Sequence, residues 1–132
     1  ERLMELEVPG RAQYIRLILT EMARIASHLI FCGSYPLELG AGTPMFFALR
    51  ERERVLDMME SVTGGRFHLN FNRLGGVKPA AGAGSATRKQ AQDLPRGFYE
   101  GTLEAMDRVL DVCDELDELI SGNEIVAKEL TQ

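Results

Sequence analysis

The sequence predicts an all-α fold, a helical bundle of three long amphipathic helices plus a short C-terminal helix. Two observations carry this. Apolar residues recur at steps of three and four over three long stretches, the spacing that gathers them on one face of a helix. Short links rich in Gly and Pro separate those stretches, so that the helices can fold back on one another.

Residues 1–8 form a short lead-in, and Pro9 suits the first turn of a helix, where its missing N–H costs nothing. From there to about Phe31 the apolar set Tyr14, Ile15, Ile18, Met22, Ile25, Leu29 and Ile30 keeps helical spacing, with Arg11, Arg16, Glu21 and Arg24 on the polar face. Gly33, Ser34 and Pro36 are expected to end or bend this helix. A second helix is expected from Pro44 to Val62, with Thr43 as N-cap, Pro44 at the favoured first position and Gly64-Gly65 as terminator. Its run Arg50-Glu51-Arg52-Glu53-Arg54 alternates in sign. Arg50–Arg54 and Glu53–Asp57 are thereby left as like-charge neighbours, which a solvated helix face has little use for.

The segment Arg66 to Val77 has little helical character. Phe67, Leu69 and Phe71 alternate there, which leaves room for a short hairpin near residues 66–73. Residues 78–92 are small, polar and Gly/Ala-rich, and read as a flexible insertion. Asp93-Leu94-Pro95 then opens a third helix from about Arg96 to Ile120. Its expected seam is Tyr99, Leu103, Met106, Leu110, Cys113, Leu116 and Ile120, and its other faces are strongly acidic. Gly122 closes it, and Asn123 starts the last short helix through Leu130.

At 132 residues the chain is one helical domain. A net charge of −5 argues against non-specific nucleic-acid binding, which demands a basic face. No run approaches the ~18 apolar residues of a membrane span, and charged residues from the first position onward leave no signal peptide. Beginning at Glu1 rather than Met, the chain reads as a fragment of a larger subunit. Cys32 and Cys113 stand far apart without a C-x-x-C pair. Two buried thiols in a reduced interior are expected, with a disulfide between them as the alternative. The sequence has no P-loop, dinucleotide fingerprint, H-E-x-x-H or nucleophile elbow, so nothing in it is a self-contained active site.

The chemistry gathers in R-F-H-L-N-F-N-R-L-G-G-V, Arg66 to Val77. Imidazoles ordinarily titrate near ~6.5, so a modest change of nearby charge moves one across neutral pH, and His68 is the imidazole of this segment. Reducing a redox centre beside it adds negative charge and favours its protonation; a polar residue flanking a turn is the plainer alternative. Glu38 lies between two leucines and beside a Gly-Ala-Gly break. It is either a buried proton carrier, the partner of a basic group, or a simple exposed carboxylate. Arg50, Arg52, Arg54 and Arg73 flank the irregular stretch and can bond a partner, a cofactor sulfur, or Glu51 and Glu53. His28 reads as a core-edge histidine.

Six ordered motifs then resemble one family. They are R-A-Q-Y-I-R…E-M-A-R-I-A-S-H-L (Arg11 to Leu29), L-E-L-G-A-G-T-P-M-F-F (Leu37 to Phe47), R-E-R-E (Arg50 to Glu53), V-T-G-G-R-F-H (Val62 to His68), N-R-L-G-G-V (Asn72 to Val77) and D-L-P (Asp93 to Pro95). Together they resemble the central part of the D subunit, or 49-kDa subunit, of NADH:quinone oxidoreductase (respiratory complex I), a relative of nickel–iron hydrogenase large subunits. The resemblance implies a subunit that packs against a B subunit carrying the terminal 4Fe–4S cluster and forms the quinone pocket with it. C and membrane-arm subunits are the further partners. It implies that His68 matches the histidine of redox-linked protonation beside the cluster, and that Glu38 matches a carboxylate on the route coupling quinone chemistry to proton translocation. Arg73 would support the cluster-facing loop.

Two departures stand out. Glu38 replaces the usual aspartate, and residues 78–92 add about a dozen positions where the family runs almost directly from G-G-V to D-L-P. The expectation is a piece that binds no cofactor or metal itself and is inactive when isolated, prone to self-association through uncovered apolar faces. Its parent would sit peripherally on the cytoplasmic side of a prokaryotic plasma membrane. The alternatives are the large subunit of an energy-converting hydrogenase, or a helical assembly module that has lost redox function.

Overall fold

A computed structural model describes residues 1–78 and 94–131. Apart from Lys78, the expected insertion at 78–92 lies outside the described residues, as does Asp93. A 3₁₀ turn (Arg2–Met4) precedes α1 (Gly10–Glu38) and α2 (Thr43–Thr63); strands β1 (Asn72–Arg73) and β2 (Gly76–Val77) follow, then α3 (Phe98–Ser121) and α4 (Glu124–Glu129). The all-α expectation holds, with one small antiparallel hairpin pairing Asn72 with Val77 and Arg73 with Gly76. No helix among the described residues is long and apolar enough to cross a membrane.

Helix α2 is the centre of the bundle and packs against both α1 and α3. The buried seam of α1 runs Ala12, Ile15, Leu19, Met22, Ala26, Leu29, Gly33 and Pro36, strict steps of three and four. Tyr14, assigned to the apolar face from its spacing, is exposed, as is Ile18. The seam takes in the small residues Ala12, Ala26 and Gly33 beside larger ones, and leaves Tyr14, Ile18 and Ile30 of the expected set outside it.

The helix also runs past its expected end. A Cβ on Gly33 would lie 2.9 Å from the Met45 sulfur and 3.0 Å from the Met45 Cα, so the glycine serves helix–helix approach rather than termination. Pro36 falls in the last turn, so the bond its missing N–H cannot make lies near the end of α1, which stops two residues later. Helix α2 matches expectation within one residue at each end. Its N-cap, however, is Gly42 rather than Thr43, and the cap makes no side-chain hydrogen bond. Gly64 closes it at φ 74, donating its N–H to the Glu60 carbonyl at 2.7 Å.

Helix α3 has the expected extent but a rotated face. The buried residues are Phe98, Ala105, Val109, Val112 and Leu116, whereas Tyr99, Leu103 and Leu110 of the expected seam are exposed. Gly101 admits the Met58 sulfur, 3.2 Å from where its Cβ would stand, which sets the rotation. Asn123 caps α4 as expected, its Oδ1 accepting from the Ile125 N–H at 2.9 Å and the Val126 N–H at 3.3 Å.

Candidate functional site

The segment after α2 is irregular because its polar groups are tied one by one. Thr63, the last helical residue, anchors its start: Oγ1 lies 2.9 Å from the Met59 carbonyl and accepts from the Gly65 N–H at 3.2 Å. Arg66 then reaches back along α2. Its guanidinium bonds Asp57 at 2.5 Å, Glu60 at 2.8 Å and also Glu53. The like-charge stripe of α2 is therefore balanced by one cation from the following loop, and those three carboxylates hold the Arg66 proton more firmly than usual, Asp57 foremost.

Glu51 is a second charged node. Its buried carboxylate accepts from Arg50 Nε at 2.6 Å and lies 3.4 Å from an Arg54 nitrogen. The arginines at 50 and 54 thus meet a common acid. Arg52 stands apart, its guanidinium 5.4 Å from the centre of the Phe67 ring and 3.6 Å from Glu53. Phe67 and Leu69 line an open cleft of about 230 Å³ with Ala26, Ile30 and Leu56.

The short hairpin that the alternation left room for near residues 66–73 forms further along, between Asn72 and Val77. Phe67 is exposed, Phe71 is buried, and the pairing begins only at Asn72. The turn decides this: Gly75 sits at φ 82, the third residue of the four-residue turn Arg73–Gly76, where an L side chain would be strained. The hairpin is locked to α1 by Arg16. Its guanidinium forks onto Glu1 at 2.7 and 3.0 Å, and also donates to the Gly76 carbonyl at 2.7 Å and the Arg73 carbonyl at 2.9 Å. Glu1 accepts from the Gly75 N–H at 2.9 Å. The Arg16 hydrogen bonds first, and the Gly75 N–H second, hold the Glu1 carboxyl at about 2.

His68 is exposed, and its imidazole has no partner among the described residues. Its carbonyl accepts from the Asn70 N–H at 2.8 Å. Arg73 is exposed too, donating to Asn70 Oδ1 at 2.7 Å and the Asn72 carbonyl at 3.1 Å. One loop thus carries both residues. Glu38 is not brought to them. It is the last residue of α1, exposed and without an ion-pair partner among the described residues. Phe67 and Leu69 sit against Ala23 to Ile30 of α1. Eight to fifteen residues of helix, ~12–22 Å, therefore lie between that level and Glu38.

The thiols differ from expectation. Cys32 and Cys113 are free and exposed rather than buried. Both line a groove of about 370 Å³ between α1 and α3, with His28 and Asp117 at its edge. Partial burial pushes the Cys113 thiol up, with a smaller effect from Cys32. No group of three or more His, Cys, Asp or Glu could hold a metal among the described residues.

Comparison with known proteins decides the family. Residues 38–132 match the profile of the 49 Kd subunit of respiratory-chain NADH dehydrogenase. The chain belongs to this family. Among 49-kDa-subunit relatives it is 45% identical over 125 residues to the first D subunit of the NADH-quinone oxidoreductase of Streptomyces coelicolor, covering 95% of this chain and 29% of that protein. It is 43% identical to the D subunit of the Carboxydothermus hydrogenoformans enzyme over 95% of this chain and 31% of that one. It is 42% identical to the H subunit of the chloroplastic NAD(P)H-quinone oxidoreductase of Mesostigma viride over 98% of this chain and 30% of that one. The chain thus spans under a third of the length of these curated relatives, each named as one subunit of a quinone oxidoreductase. Arg16, Glu1, Asn70 and Arg66, which organise the loop, were given no such role in the sequence. Arg16 and Glu1 meet the hairpin from too far along the chain for local spacing to reveal, whereas Asn70 meets Arg73 only three residues on; the isolated basic residue against an acidic stripe hints at Arg66.

Proposed function

We propose that this chain is the part of a complex I 49-kDa subunit that presents His68 and Arg73 to the terminal 4Fe–4S cluster of the partner B subunit. The parent enzyme would pass electrons from NADH to a membrane quinone, coupled to proton translocation, on the cytoplasmic side of a prokaryotic plasma membrane. C and membrane-arm subunits would complete the assembly. The single observation that carries the reading is an exposed imidazole, unpaired among the described residues, on a loop whose backbone is tied at several points. When bound on its own subunit, the cluster supplies one-electron transfer to the quinone.

The work of this chain is protonic and positional. His68 takes up a proton on a free ring nitrogen when negative charge arrives nearby, and releases it when that charge leaves. Arg73, tethered to Asn70, places one fixed positive charge on the same loop. Glu38 acts as a separate group. It sits at the C-terminal end of α1, where the helix dipole disfavours a carboxylate by ~0.3–1 kcal/mol, a location that stability alone would not select. Among the described residues no three His, Cys, Asp or Glu gather to hold a metal, and the isolated chain is expected to be inactive.

The second reading, a scaffold that has lost its redox role, would require a buried, internally paired His68; the exposure of Glu38 agrees with it and the exposure of His68 does not. A hydrogenase large subunit is less well supported, since the relatives above are quinone oxidoreductases. The test is co-expression of the full-length subunit with its B partner, followed by measurement of cluster content and quinone reduction. A co-purifying cluster, and a Glu38→Gln variant slowed roughly tenfold or more with Glu38→Asp restored, support the proposal. A complex without a cluster contradicts it; one that holds a cluster but is indifferent to Glu38→Gln removes Glu38 from the coupling route.

A further inference from the structure

We infer that Arg16 is a positioning residue for His68: from α1 it fixes the Asn72–Val77 hairpin, and through the hairpin the backbone that presents the imidazole. The inference rests on the reading of His68 as a redox-linked proton site.

The His68 ring has no tether of its own among the described residues, so its distance to any group outside the chain is set by the backbone that carries it. That backbone can be traced to α1 through three successive hydrogen bonds. Arg16 donates to the Arg73 carbonyl at 2.9 Å; Arg73 Nη1 donates to Asn70 Oδ1 at 2.7 Å; the Asn70 N–H donates to the His68 carbonyl at 2.8 Å. Arg16 also grips the hairpin at buried Gly76, both Nε and Nη2 donating to the Gly76 carbonyl at 3.3 and 2.7 Å.

An exposed arginine–carboxylate pair by itself contributes ~0–1 kcal/mol and would carry no such role. This one differs in kind, because the planar fork serves two backbone carbonyls and a carboxylate at once, with 22% of the Arg16 side chain exposed. Lysine offers a point charge and cannot reproduce that geometry. The interaction of a protonated imidazole with a negative neighbour falls with distance. A loosened hairpin should therefore weaken the link between cluster charge and His68 protonation without removing any titrating group.

The test uses the full-length subunit assembled with its cluster-bearing partner. It compares wild type with Arg16→Met, Arg16→Lys, Asn70→Ala and, as a charge control on the same helix, Arg24→Gln. Two quantities are read: the pH dependence of the cluster midpoint potential, and amide hydrogen exchange over residues 68–77. Arg16→Met and Asn70→Ala should each lose roughly half or more of the wild-type pH slope. Arg16→Met should also speed exchange in the hairpin roughly tenfold. Arg16→Lys should fall between, and Arg24→Gln should match wild type.

A wild-type slope in Arg16→Met, or unchanged hairpin exchange, overturns the inference. If Arg16→Met does not assemble, Arg16→Lys and Asn70→Ala decide. A flat wild-type line would instead defeat the His68 reading, while the exchange arm still judges whether Arg16 anchors the loop.

Discussion

Arg66 shows how a single side chain can alter the meaning of a sequence pattern. Glu53, Asp57 and Glu60 share one face of α2 and repel one another; one guanidinium meets all three. Replacing it by methionine should lower the thermal midpoint of the chain at low salt. The deficit should shrink in ~1 M salt, where charges are screened within ~3 Å. Circular dichroism melts at the two ionic strengths check this, and a deficit unaffected by salt would point to lost packing instead.

Glu1 gives the matching statement in pH. Its carboxyl is held at about 2 against an ordinary 4.5, chiefly by Arg16. A carboxyl depressed on folding adds stability that is complete above its unfolded value and is lost as pH falls through the folded one. The hairpin lock should thus be intact above pH 4.5 and dissolve toward pH 2. The Gly75 amide resonance reports it directly: a titration midpoint near 2 is expected, whereas one near 4.5 would mean that Glu1 is not held.

Elements are harder to read than residues where one pattern allows two faces. The extent of α2 and the Asn123 cap of α4 were legible because local chemistry alone writes them. The buried face of α3 was not. Large apolar residues at 99, 103, 106 and 110 and another set at 98, 105, 109 and 112 both keep steps of three and four or their sum, and only the approach of Met58 at Gly101 selects the second set. The end of α1 misled for the same reason, since Gly33 is a breaker by propensity but a contact by packing.

That contrast is a test of sign. Propensity alone says Gly33→Ala should stabilise α1 by ~1 kcal/mol. The close approach of Met45 and Ala48 instead predicts a loss of ~1–3 kcal/mol through overpacking. Urea denaturation distinguishes the two; a rise in stability would show that α2 can yield at this point. At the candidate site, the family motifs point to His68 and Arg73, and one loop carries both. The supports of that loop were not legible, because Arg16 and Arg73 stand fifty-seven positions apart.

At the scale of the whole molecule, the chain is a bundle with one side left open. The groove between α1 and α3, and the outward Leu103 and Leu110 on α3, leave apolar surface of the sort expected to drive self-association of the isolated piece. The His68 loop and Glu38 lie at different levels of the same bundle, so under the proposed function they would act as separate stations rather than one compact site.

The most direct measurement is the midpoint potential of the terminal cluster against pH, in the assembled full-length subunit and in His68→Met. The wild-type potential should fall as pH rises across neutrality, and the His68→Met potential should stay level. Two lines of equal slope, or two flat ones, would contradict a redox-linked proton at His68.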